Sequence, residues 1–189
     1  MSYFSLIYLG IFSLTISVLS FFNIIYSYYF NLYLNIDSYI YSLILSLLLG
    51  LIFLIKKKDN RKLSIYHKIL TVISGYFILP LIISIPFYFS NYNMSFLDSY
   101  FESISGFTST GFSIFDNIKH LDESLILWRS TSQWVGGLYF LFSIILLINI
   151  FDDSFKKSLT NFLSFNTSET LKQSSKILIL YTLLTFVIF

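Results

Sequence analysis

Residues 105–113 read SGFTSTGFS: two glycines, two threonines and three serines in nine positions, within a chain that is 56% hydrophobic and 12% charged. The chemistry open to such a stretch is mostly that of its backbone. A turn such as Thr108–Ser109–Thr110–Gly111–Phe112 exposes carbonyl oxygens that no helix satisfies, and carbonyl oxygens can replace the hydration shell of a cation. Gly111 suits that use, because glycine takes positive φ at no steric cost and so lets successive carbonyls face one side. From spacing alone two readings stand: a carbonyl-lined cation filter, or a polar loop that packs and binds no ion.

Charged and small residues around the turn extend both readings. Glu102, six residues before Thr108, either tunes the cation field or makes a structural hydrogen bond behind the turn, and the structural role is preferred. Arg129 pairs with Asp98 or Glu102, or anchors at the membrane interface; pairing is preferred. Gly106 is grouped with Glu102 and Arg129 as support for the turn. Gln133 and Trp134 read as packing and interfacial groups. Gly136 and Gly137 read as a site of close helix approach, since small residues let backbones come together. There is no cysteine, which excludes disulfides and thiolate metal sites. His67 and His120 lie far apart and read as ordinary surface groups rather than metal ligands. No nucleophile–base pair or metal cluster stands out, so a membrane enzyme is the weakest class and no cofactor is expected.

The elements that must position these residues are helical. The apolar runs are long and continuous, unlike the alternating ten-residue segments of a barrel, so the expected class is an all-α polytopic membrane protein. The runs cover about Tyr3–Phe30, Tyr39–Ile55, Tyr66–Phe89 (with Pro80 and Pro86) and Leu125–Ile150. The first has no basic leader and reads as a retained helix rather than a signal peptide. Ser95 and Asp98 form an S-x-x-D capping signal. Phe96, Leu97, Tyr100, Phe101, Ile104 and Phe107 follow on one helical face. That helix has about 12 residues, or ~18 Å, against the ~30 Å hydrocarbon core. It is expected to dip into the membrane and return, with the turn at its tip. The final apolar run, Ile177–Phe189, has 13 residues. At ~20 Å it is too short to span, which gives the expectation of a fragment or an early-terminated chain.

Basic residues orient the helices. Ten of the twelve Lys and Arg fall in two loops, 56–68 and 156–176, leaving Lys119 and Arg129 for the other side. The positive-inside rule puts both loops and the N-terminus in the cytoplasm, and the short helix enters from outside. The KKKDNRK cluster, Lys56–Lys62, reads as a membrane anchor, with no nucleic-acid partner expected.

The segment FESISGFTSTGFS (101–113) followed by ILWRSTSQWVGG (126–137) closely resembles the first pore repeat of the Trk/Ktr/HKT potassium uptake family, most closely its TrkH branch. The family's pore helix ends in ES-x-SG, here Glu102–Gly106, and runs into a Thr-rich filter with a glycine, here Gly111. A helix with an aromatic–Arg pair, here Trp128–Arg129, and QW-x-GG follows. Tyr139 departs from the pattern, because the family often has glycine there. The resemblance implies a fold of helix, re-entrant pore helix and helix, repeated four times around one pore. It implies that Thr108, Ser109, Thr110, Gly111 and Phe112 supply K+-facing carbonyls, with K+ the transported ion. It divides the chain into two N-terminal helices (1–62), a first pore repeat (63–151), and a loop with the start of a second repeat (152–189). The partners it implies are the remaining pore repeats, a second copy in a homodimer, and a TrkA-like cytosolic nucleotide-binding regulatory protein. The implied location is the plasma (inner) membrane. Two other functions fit the residues: a subunit that homotetramerises around its single filter strand, and a membrane fragment that transports nothing.

Overall fold

The computed structural model describes residues 3–55 and 65–148. The basic cluster Lys56–Lys62, the segment Asp152–Lys176 and the last apolar run lie outside the described residues. The chain divides into two compact units, Met1–Gly137 and Leu138–Phe189. Five α-helices appear among the described residues, without strands: α1 (Tyr3–Tyr29), α2 (Ile36–Ile55), α3 (Ile65–Tyr88), α4 (Phe96–Phe107) and α5 (Glu123–Ile148). Short 3-10 turns, Tyr33–Asn35 and Ile118–His120, precede α2 and α5. Three 23-residue stretches, Ile7–Tyr29, Tyr33–Ile55 and Tyr66–Tyr88, are long and apolar enough to cross a membrane. The molecule is therefore a multi-pass, all-helical membrane protein. With 26 residues, α5 is about as long as α1.

The first unit buries small polar residues beside its apolar core and leaves many large apolar residues outside. Ser13, Ser17, Ser20, Asn23 and Ser27 of α1 are buried, as are Ser38, Ser42, Ser46 and Gly50 of α2, while Phe21, Phe22, Leu48 and Ile52 are exposed. Hydrocarbon solvates Leu and Phe as well as a protein core does, so burying them gains little; small residues instead let backbones approach and hydroxyls bond across the seam. Ser20 Oγ donates to Ser42 Oγ at 3.1 Å. A Cβ on Gly50 would stand 2.7 Å from Leu14 Cδ2, and one on Gly10 3.0 Å from Phe53 Cβ. The helices thus approach closely at both glycines, with the movable end of Leu14 the nearest obstacle at Gly50.

Helix α3 runs through Pro80 and Pro86 without a break. A proline supplies no N–H to the preceding turn and pushes against its carbonyl. The carbonyl that each proline deprives of an N–H is four residues earlier, and the next carbonyl along takes a donor from another helix. Tyr100 Oη on α4 donates to Phe77 O at 3.1 Å, and the Trp128 indole N–H on α5 donates to Ile83 O at 3.0 Å. These bonds hold α4 and the first half of α5 to α3.

Helix α4 turns most of its apolar face outward. Phe96, Leu97 and Phe101 are exposed, while Ser99, Glu102, Ser103, Ser105 and Gly106 are buried together with Phe107. The helix buries its small and polar side and turns most of its bulk outward, for the reason that governs α1 and α2.

Candidate functional site

The start of α4 is set locally. Ser95 Oγ accepts the Asp98 N–H at 3.2 Å and donates to the Asp98 carboxylate at 2.7 Å, closing the cap announced by S-x-x-D. Asp98 is thereby engaged at its own helix terminus.

The end of α4 forms the turn. Ser109 N–H reaches Gly106 O at 2.9 Å and Thr110 N–H reaches Ser105 O at 3.1 Å. These are the two bonds of a Schellman cap, with Ser109 in the left-handed position at φ 57° that glycine usually fills. Gly111 N–H also leans toward Ser105 O, at 3.5 Å. Gly111 has φ 79°, while Thr108 has φ −85° and Thr110 is not among the positive-φ residues, so the sign of φ alternates from 108 to 111.

In a trans peptide the carbonyl of one residue points opposite to the N–H of the next, and no peptide bond here is cis. The N–H groups of Ser109, Thr110 and Gly111 turn back onto the helix end. The carbonyls of Thr108, Ser109 and Thr110 therefore face away from it. Residues Thr108 through Phe112 are all exposed. Phe112 O is held from behind by Ser105 Oγ at 2.6 Å. A carbonyl has two lone pairs, so this bond leaves Phe112 O one acceptor site.

Behind the turn, Glu102 is the organising group. It is 2% exposed, and its Oε1 accepts the Ser113 hydroxyl at 2.7 Å and the Ile114 N–H at 2.6 Å. Its Oε2 forms an ion pair with Arg129 Nη1, and the same Nη1 donates to Ser113 Oγ at 3.0 Å. The structure thus places Arg129 on Glu102, one of the two partners its sequence position allowed. The carboxylate ties α4, the segment leaving the turn and α5 together, with its charge offset by the guanidinium.

The small residues divide. A Cβ on Gly106 would run into Ser132 Oγ, and one on Gly136 would stand 2.8 Å from Phe107 Cα and collide with the Phe107 carbonyl. A Cβ on Gly137 would meet nothing within 4 Å among the described residues. Arg129, Ser132 and Gly136 share one face of α5, and the end of α4 lies on it. Gln133 is exposed and Trp134 half-buried. Ser105, Ser113, Ser132 and Trp128 carry contacts that the sequence did not single out. The four-residue spacing of Ser132 and Gly136, a small-x-x-x-small pattern, was the available signal for Ser132. For Ser113 there was none.

The cation transport protein family named TrkH matches residues 4–189. An uncharacterized cation transporter of Methanocaldococcus jannaschii is 33% identical over 87 residues, covering 46% of this chain and 18% of that protein. The Trk system potassium uptake protein TrkI of Halomonas elongata is 38% identical over 66 residues (35% of this chain, 12% of that protein). Escherichia coli TrkH, also a Trk system potassium uptake protein, is 30% identical over 83 residues, covering 43% of this chain and 17% of the relative. The chain thus spans less than a fifth of the length of each of these relatives. No solved structure matches it. A match over nearly the whole chain, on helices of membrane-crossing length, places this protein in the TrkH family of cation transport proteins.

Proposed function

We propose that this chain takes part in potassium uptake, supplying one strand of a carbonyl-lined filter from residues Thr108 to Phe112. The observation that carries the reading is the turning of three consecutive N–H groups back onto α4, which directs the carbonyls of Thr108, Ser109 and Thr110 outward from an exposed turn. Such oxygens replace hydration water around a K+ ion at no cost of reorganisation if their backbone is already fixed. The C-terminal end of α4 adds partial negative charge at the same place. Glu102, Gly106, Arg129 and Gly136 support the strand from behind. In this reading α4 enters from the outer face without crossing, α5 returns to the cytoplasmic side, and the N-terminus is cytoplasmic in the plasma membrane. One strand offers too few oxygens to surround an ion, so further pore repeats complete the site. A second copy and a TrkA-like cytosolic protein are the partners expected of the complete transporter. The chain's similarity to the Trk system potassium uptake proteins TrkI and TrkH favours potassium as the ion.

Gly111→Ser tests the reading in the complete transporter, expressed in cells that lack other potassium uptake. A side chain at φ 79° is strained even in open space. Uptake of K+, or its discrimination from Na+, is expected to fall at equal protein abundance. If both stay at the parent's level, the filter assignment is wrong.

A further inference from the structure

Four residues of the N-terminal hairpin and the loop before α4 converge on the start of α5. Asn35, 2% exposed, uses both ends of its carboxamide. Its Nδ2 donates to the Asp122 carboxylate at 3.2 Å, and its Oδ1 accepts the Asn91 N–H at 3.1 Å. The Asp122 N–H donates to Tyr92 Oη at 2.7 Å. Asn23 Nδ2 donates to Ser124 O at 3.2 Å, and the Tyr39 hydroxyl meets Ser124 Oγ at 2.9 Å. Ser124 Oγ in turn donates to the Asp122 carboxylate.

Between Tyr92 and Asp122 lie α4, the carbonyl turn and the segment braced by Glu102. Both ends of that 30-residue excursion meet at Asn35. The hydrogen bonds through Asn35, Asn91, Tyr92 and Asp122 close a ring, and such a ring rigidifies what it encloses more than its separate bonds suggest. A hairpin serving only as a membrane anchor has no need of a buried amide bonded to both ends of the loop.

We propose that the α1–α2 hairpin is a clasp for the carbonyl turn, with Asn35 the positioning residue that fixes the span between the loop before α4 and the start of α5. The inference rests on the filter reading for its functional consequence, while its mechanical content stands on the hydrogen bonds alone. Asn35 touches no ion; it acts through Asp122 and Asn91.

The test uses the full-length protein in lipid nanodiscs. Asn35→Asp keeps the shape and the acceptor for Asn91 but sets an oxygen against the Asp122 carboxylate. Hydrogen exchange over residues 108–122 is expected to speed up about tenfold, the equivalent of ~1.4 kcal/mol, with exchange in the middle of α1 and α2 unchanged. K+/Na+ discrimination in uptake is expected to fall at equal abundance. Adding Asp122→Asn restores a donor–acceptor pair with its direction reversed, and is expected to bring both readouts back toward the parent. Tyr39→Phe, which removes the hydroxyl that meets Ser124 and leaves Asn35 intact, serves as a milder variant and is expected to give a smaller rise in exchange. Unchanged exchange over 108–122 overturns the clasp, as does a loss that the reciprocal exchange fails to restore. Faster exchange with unchanged discrimination overturns the positioning role if Gly111→Ser does lose discrimination. If neither variant alters K+ uptake or its discrimination from Na+, the clasp survives and the filter reading does not.

Discussion

Gly136 and Gly137 are adjacent and chemically identical, yet alanine is expected to act oppositely at the two. At Gly136 a Cβ would lie 2.8 Å from Phe107 Cα and overlap the Phe107 carbonyl. Ordinary carbon–carbon contact needs about 3.5–4.0 Å, so α5 and the end of α4 must part by ~1 Å. Both obstacles are backbone, and no side-chain rotation relieves them. Overpacking typically costs about 1–3 kcal/mol, and a backbone clash belongs at the upper end. Alanine recovers ~1 kcal/mol of helix propensity, leaving a net loss of about 2 kcal/mol. A Cβ at Gly137 would meet nothing within 4 Å among the described residues, so the propensity gain stands alone. The two variants should therefore differ by about 3 kcal/mol. At this chain length 1 kcal/mol corresponds to roughly 2–4 °C, so Gly136→Ala should lower the unfolding midpoint by about 4–8 °C. Gly137→Ala should raise it slightly. Thermal unfolding in one detergent, followed by the emission of Trp128 and Trp134, makes the comparison. A ~1 Å separation also stretches the 3.0 Å bond from Arg129 to Ser113 beyond hydrogen-bond range, so ion discrimination should fall with stability. If Gly136→Ala is as stable as the parent, or Gly137→Ala is equally damaging, the close approach of α5 to the end of α4 is wrong.

Two further outcomes follow from the same contacts. Glu102→Gln leaves Arg129 without its counter-charge and should destabilise the protein by about 3 kcal/mol; adding Arg129→Met should recover part of that loss, because no charge is then left unpaired, and a double-mutant cycle on unfolding midpoints measures the coupling. Trp128→Phe removes the buried donor to Ile83 O and should cost about 1–3 kcal/mol, while Tyr100→Phe, at a more exposed bond, should cost under about 1 kcal/mol; equal losses in thermal unfolding would refute the ranking.

Much of the architecture is written locally. A run of apolar residues near 23 long is a membrane helix almost regardless of its neighbours, because unpaired backbone groups cannot remain in hydrocarbon. Ser95 and Asp98 mark where α4 begins, and its length follows from there to the turn. A threonine- and glycine-bearing turn after so short a helix is legible as a place where carbonyls come free. Which way α4 faces was not legible. An apolar stripe does not point inward by itself, because lipid and protein interiors reward Phe and Leu about equally. Orientation fell instead to Ser99, Ser103 and Gly106, whose small size permits close packing.

The sequence by itself determined the helices, their membrane character and the composition of the turn, because each depends on interactions within a few residues or with the solvent. Only the tertiary structure decided that Glu102 takes Arg129 rather than leaving it to Asp98, that Gly136 and not Gly137 meets a backbone, and that Asn35 bonds Asn91 and Asp122, 56 and 87 residues further along the chain. Those choices depend on distances between helices, set by how closely small residues let the backbones approach, and no local pattern encodes them.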